Sequence, residues 1–153
     1  MYRKKGYSFL EIIIVFAIMS FLLLFTTDVF SSFSKDRVLY AESERALSTI
    51  SEARSKTISS KSGSEYGVHF EQLKIVFFKG AVFNSLDPNN KEVFFSGGVE
   101  IYNISLNGGS ADLFFKKFTG ETDKYGTVSL RLKRDNSKIK IIKINQSGVV
   151  SIN

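Results

Sequence analysis

The chain of 153 residues contains no cysteine, one proline and one histidine. Without cysteine it forms neither a disulfide nor a thiolate metal site. A domain built from it must hold together by its core, and fifteen Phe with six Tyr supply ample apolar area for one. The lone histidine, His69, sits between Val68 and Phe70 and reads as a half-buried strand residue, not a catalytic base. The β-rich half has no paired-carboxylate motif. Gly97-Gly98 and Gly108-Gly109 lack the strand–loop–helix context of a phosphate cradle and read as turns. Asp87, Asn89, Asn90 and Glu92 lack the glycine and terminal glutamate of a calcium loop, so they too read as a turn. These absences argue against an enzyme, and the expectation is no cofactor and no metal.

Charge is scarce where it matters most. Between Lys5 and Asp28 the only charged residue is Glu11, and from Ile12 to Phe25 the only polar residue is Ser20. A carboxylate in an apolar run of this kind costs about 3 kcal/mol to hold at mid-bilayer, and the usual compensation is a partner charge. The net charge is +6, but Arg3, Lys4 and Lys5 supply half of it, leaving +3 for residues 7–153. Overall basicity therefore does not by itself indicate a nucleic-acid partner.

Four readings compete for residues 1–27. A cleaved secretory signal fits the basic start, but no small-x-small site follows the apolar run; the chain continues Thr26-Thr27-Asp28. A plain signal anchor, with the positive flank cytoplasmic, explains everything except Glu11 and the Gly6-Tyr7 junction. A soluble core helix fails because Ile12–Phe25 is apolar all the way round instead of along one stripe. The fourth reading accounts for every feature. The order Lys4-Lys5-Gly6-Tyr7-Ser8-Phe9-Leu10-Glu11 resembles the signal of type IV prepilins and type II secretion pseudopilins.

That resemblance implies a set of roles. A prepilin peptidase would cut between Gly6 and Tyr7, and Tyr7 would become the N-methylated first residue. Glu11 would face the free amine of a neighbouring subunit during assembly, pairing two charges that are each costly in lipid. Many members of the family carry a helix-loosening proline about twenty residues past the cleavage site. This chain has only Pro88, so any loosening near Thr26-Thr27-Asp28 falls to weak helix formers.

Beyond the apolar run, residues 28–62 contain neither glycine nor proline and read as an amphipathic continuation of the helix. Phe33, Tyr40 and Leu47 fall at heptad spacing, with Val29, Ala46, Ile50, Ala53 and Ile58 beside them. Lys35, Asp36, Glu42, Glu44, Arg45, Glu52 and Arg54 are expected on the opposite face. Lys61-Ser62-Gly63-Ser64 supplies a stop. The pattern then changes period. Tyr66–Phe70 and Leu73–Phe78 read as a hairpin turning at Glu71-Gln72. Further strands are expected at Val93–Phe95, Val99–Ile104, Asp112–Phe118, Thr127–Lys133, Ser137–Ile144 and Val149–Ile152. Strands of this length and spacing argue for two small antiparallel sheets, one packed on the C-terminal half of the helix. The fold class expected is α+β, a long N-terminal helix on a C-terminal antiparallel β domain. Its divisions are 1–6 leader, 7–27 membrane and assembly helix, 28–62 helix continuation and 63–153 globular domain.

The globular half resembles the GspH/FimT group of minor pseudopilins and pilins. The resemblance rests on Tyr66-Gly67-Val68-x-Phe70, on Phe78-Lys79-Gly80 and on Ile144-Asn145-x-x-Gly148-x-Val150. Phe83–Asp123 matches nothing quotable, which leaves its strand order open. The implied function is a structural subunit, a minor pilin or pseudopilin of a type IV pilus or type II secretion pseudopilus. Its partners would be the prepilin peptidase, other pilins or pseudopilins and the inner-membrane assembly platform. The precursor would be a single-pass inner-membrane protein with a cytoplasmic N-terminus, and the assembled filament periplasmic or extracellular.

The alternative is a DNA-binding minor pilin of a competence pilus, resting on the basic stretch Arg131–Lys143. With a turn at Asp135-Asn136, alternation puts Arg131 and Lys133 on one face of the first strand and Lys138 and Lys140 on a shared face of the second, with Ile139 and Ile141 toward the core. Such a patch would follow phosphates without sequence preference. No aromatic residue interleaves the run, which argues against base stacking. A solvated sheet face is the plainer reading.

Overall fold

A computed structural model describes residues 6–59 and 63–153, the side chains of residues 23–33 excepted. Residues 1–5 of the expected leader, Lys61-Ser62 of the helix stop and the side chains around Thr26-Thr27-Asp28 lie outside that range. The chain divides into two compact units, Met1–Lys35 and Asp36–Asn153. A single helix, α1 (Phe9–Ser59), contributes to both.

Within the second unit α1 is followed by eight strands. These are β1 (Tyr66–Phe70), β2 (Lys74–Lys79), β3 (Lys91–Phe94), β4 (Val99–Leu106), β5 (Asp112–Phe114), β6 (Gly126–Leu132), β7 (Asp135–Ile144) and β8 (Val150–Ile152). They form two antiparallel four-stranded sheets, ordered β3-β2-β1-β5 and β4-β6-β7-β8. β1 and β2 make the expected hairpin, closed where Glu71 N–H donates to the Lys74 carbonyl at 3.0 Å. Residues 83–123 have a definite order. β3 pairs with β2, β4 leaves for the second sheet, and β5 returns to the far side of β1. β5 is shorter than the run Asp112–Phe118 suggests. The chain turns at once, Gly120 N–H donating to the Lys116 carbonyl at 2.9 Å, and Phe118 takes φ 67°.

One core joins the helix to both sheets, where the sequence pointed to one. Leu39, Ala46, Ile50 and Ala53 pack with Val68, Phe77 and Leu113 of the first sheet and with Val128, Leu130 and Ile142 of the second. The buried helical stripe runs Leu39, Ser43, Ala46, Ile50, Ala53 and Thr57, alternating steps of four and three. That corrects the expected seam at two positions: Tyr40 is exposed and Leu47 is half-buried, while the Phe33 side chain lies outside the described range. Small side chains at Ser43, Ala46 and Ala53 let the sheets approach the helix. The polar ones are satisfied by the helix itself, Ser43 Oγ donating to the Leu39 carbonyl at 2.8 Å and Thr57 Oγ to the Ala53 carbonyl at 2.9 Å.

The first sheet has a second apolar face. Val76 and Phe78 of β2 are buried although they point away from the main core. The loop after Gly80 folds back over them, bringing the Phe83 ring to 5.5 Å from Phe78. Gly67 of β1 lies opposite Phe78, and a Cβ there would sit 2.6 Å from both the Phe78 ring and the Leu113 carbonyl. Only glycine leaves room for that ring against the strand.

Candidate assembly helix and basic strands

The first turn of α1 is closed by the Ser8 carbonyl, which accepts from Glu11 N–H at 3.0 Å and from Ile12 N–H at 3.3 Å. Glu11 therefore lies in the opening turn, where the partial positive end of the helix favours a carboxylate. With Tyr7, Ile12, Val15 and Phe16 it lines a shallow cleft of about 150 Å³. Around it Phe9, Leu10, Ile13, Phe16, Met19 and Leu22 are exposed on all sides of the helix. The exposure is an unpartnered apolar surface rather than a core face. Gly6 and Tyr7 precede the helix and are exposed, with nothing within 4 Å of a Cβ built on Gly6. Among the described residues no helix is long and apolar enough to cross a membrane; the last part of the apolar run, from residue 23, falls among the excepted side chains.

The four basic residues singled out in the sequence do not form one surface. Val128, Leu130 and Leu132 of β6 face the core, and the register sets Leu130 opposite Lys140 and Val128 opposite Ile142. Lys138 and Lys140 thus share the helix-facing side with Ile142 and Ile144. Lys138 Nζ donates to Asp36 Oδ2 of α1 at 2.9 Å, and Lys140 Nζ lies 6.0 Å from the Tyr40 ring centroid. Arg131 faces the other way, opposite Ile139. Ile139 and Ile141 are 41 % and 38 % exposed, which corrects their expected place in the core. The turn is also displaced, to Lys133-Arg134, because Leu132 pairs with Asp135 and residues 136–138 bulge out of register.

Arg131 and Lys133 are organised by a carboxylate that the sequence reading passed over. Glu100 on β4 is buried and accepts from Arg131 Nε at 2.9 Å and from Gln72 Nε2 at 2.9 Å, with Lys133 Nζ 4.0 Å away. The Arg131 hydrogen bond holds the Glu100 carboxyl below the usual carboxylate range. The Arg131 guanidinium also lies 5.1 Å from the Tyr102 ring centroid.

Two residues placed on the solvated face of the helix are structural instead. Glu42 is buried and accepts from Ser96 Oγ on one oxygen. The other lies 3.6 Å from Arg45, close enough for charge pairing but without a hydrogen bond. Arg54 donates from Nε to the Gly120 carbonyl at 3.0 Å and from Nη2 to the Ser147 carbonyl at 3.2 Å. It ties the helix to two turns at once. Gly148, with φ 78°, completes that junction: a Cβ there would lie 1.8 Å from the Gly120 carbonyl oxygen. Only a glycine signal at 148 marked this site in the sequence; its partners are 28 and 94 residues away.

His69 is half-buried on β1, its Nδ1 2.6 Å from Asp112 Oδ1 on β5. Its ring stacks on Phe83 at 4.0 Å and 5°, so the pair clamps the loop after Gly80. Asp87 Oδ1 accepts from Asn89 N–H and Asn89 Nδ2, both at 2.9 Å, and these bonds lower its pKa. That is the geometry of a capped turn. Glu92 is turned away, toward Lys74.

A long helix packed on two antiparallel sheets defines the pilin-like α+β class. Among solved structures the fold matches that of the minor pseudopilin EpsH from the Type 2 Secretion System of Vibrio cholerae. The match has a TM-score of 0.56 at 15% sequence identity and covers 75% of this chain and 95% of that one. No family model matches the chain, and no curated protein matches it significantly.

Proposed function

We propose that this protein is a minor pseudopilin or pilin, a non-catalytic subunit exported, processed and assembled through its N-terminal helix. The observation that carries this reading is the pairing of a pseudopilin-type fold with a lone carboxylate, Glu11, in the first turn of an exposed apolar helix. Glu11 belongs to the unit Met1–Lys35, whereas every strand belongs to the unit Asp36–Asn153. An amine contributed by a neighbouring subunit gives it a use, because both charges are relieved together in lipid. Gly6 and Tyr7 are the residues of the processing step in this reading. Prepilin peptidase acts at their junction, and Tyr7 is then methylated. The apolar surface from Phe9 to Leu22 packs first in the inner membrane and later against other helices of a periplasmic or extracellular filament, delivered by an inner-membrane platform.

Mass spectrometry of the N-terminal peptide from native membranes tests the reading. A peptide starting at N-methylated Tyr7 is expected; an intact leader through Gly6 in cells with active prepilin peptidase overturns it.

A further inference from the structure

The outward face of the second sheet is only partly covered by the fold, Ser129 and Glu100 being buried there, and it is not uniformly polar. Ile139 and Ile141 stand two residues apart on β7, and Tyr102, an extra residue at a β4 bulge, is 41 % exposed beside Arg131. Register joins them into one patch: Arg131 is directly opposite Ile139, and Ser129 lies between Ile141 and Asn103. Isoleucine on the solvent side of a strand, twice in succession, marks a contact surface more strongly than a single exposed leucine does.

The charge around the patch is one-sided. Arg131 is committed to Glu100, and Lys133 lies near the same carboxylate. Lys143 shares the outward face, two residues beyond Ile141, and Arg134 stands at the hairpin turn; neither makes an ion pair among the described residues. The result is an apolar centre with free cations at both ends. Nucleic acid fits this poorly. The isoleucines would be set against phosphates, Arg131 is already spoken for by Glu100, and Lys138 and Lys140 are on the other side of the sheet. A protein surface fits it well, because interfaces combine an apolar centre with a charged rim that steers association.

We propose that this face, Tyr102, Ile139 and Ile141 bordered by Arg134 and Lys143, docks a folded protein whose contact surface is apolar at its centre and acidic at its edge. The proposal goes beyond the assembly reading, which concerns the N-terminal helix, and stands or falls separately from it.

The test uses the full-length chain, carrying photoreactive benzoylphenylalanine at Ile141, in the cells that make it. Irradiation is expected to give a protein adduct whose cross-linked peptide contains Asp or Glu. The double substitution Arg134→Glu with Lys143→Glu should lower its yield about tenfold, the scale on which rim charges steer encounter. Both side chains are exposed, so folding is retained, and Ile139→Ser offers an independent second variant that should also weaken the adduct. Absence of a protein adduct, an adduct to DNA or lipid in its place, or a yield indifferent to both variants overturns the proposal.

Discussion

Replacing Gly148 by alanine isolates how much stability rests on the junction between α1 and two turns. Gly148 has φ 78°, and a non-glycine residue there costs about 1–2 kcal/mol of backbone strain. Its new methyl would also lie 1.8 Å from the Gly120 carbonyl oxygen and 2.7 Å from Arg54 Nε. A backbone oxygen has no rotamer in which to retreat, so the two turns must separate. Separation breaks the Arg54 bonds to Gly120 and Ser147 and strains the bond from Thr122 N–H to the Gln146 carbonyl. At about 1 kcal/mol net for each bond, the total is about 3–4 kcal/mol. For a unit of this size that corresponds to a fall in Tm of about 15 °C. Gly109 is the matched control. Its φ is 67° but nothing lies within 4 Å of a Cβ. Gly109→Ala should therefore show the strain alone, a fall of about 5 °C. Thermal melts of the full-length chain in detergent, followed by circular dichroism in the strand region, read both shifts. Equal shifts for the two variants would refute the argument, since backbone strain would then explain everything and the junction nothing.

Glu11→Ala should leave membrane yield unchanged or higher, because a charge costing about 3 kcal/mol at mid-bilayer has been removed. Its recovery in sheared filaments should drop, and wild-type recovery would remove the pairing role. A chain beginning at Val29 should be soluble and monomeric, with a mixed helix and strand spectrum and a cooperative melt, since the shared core of helix and sheets lies wholly beyond it; a disordered spectrum would contradict this. Because the folded pKa of Glu100 is depressed, its contribution is complete above the unfolded carboxylate value and is lost as pH falls through the folded one. Glu100→Gln should flatten the acid side of the Tm–pH profile, and an unchanged profile would show that Arg131 does not govern it. Phe83→Ala should release the loop after Gly80, which stacks through that ring on His69, and speed limited proteolysis between 80 and 90.

The elements of this protein are local properties of its sequence. An apolar run without proline or glycine dictates one long helix, and turn residues at Asp87-Pro88, Asn107-Gly108 and Ser147-Gly148 separate strands whose apolar pattern is plain. The isolated Glu11 was equally legible, because a lone charge directly before fourteen nearly unbroken apolar residues needs no tertiary context to be noticed. Which way each side chain points was not legible. β7 carries isoleucine on both parities, at 139 and 141 and again at 142 and 144, so alternation alone selects neither face. The bulge at residues 136–138 and the pairing of Ile142 with Val128 select it, and in doing so they split the basic residues between two sides of the sheet. The helix shows the same ambiguity: Tyr40 and Leu39 are one residue apart, and only the approach of two sheets decides that Leu39 is buried and Tyr40 exposed. Glu42, Arg54 and Glu100 read as ordinary surface charges in the sequence. Each acquired its role from groups at least 28 residues away, Ser96 for Glu42, Gly120 for Arg54 and Gln72 for Glu100, and such pairings exist only after the chain has closed on itself.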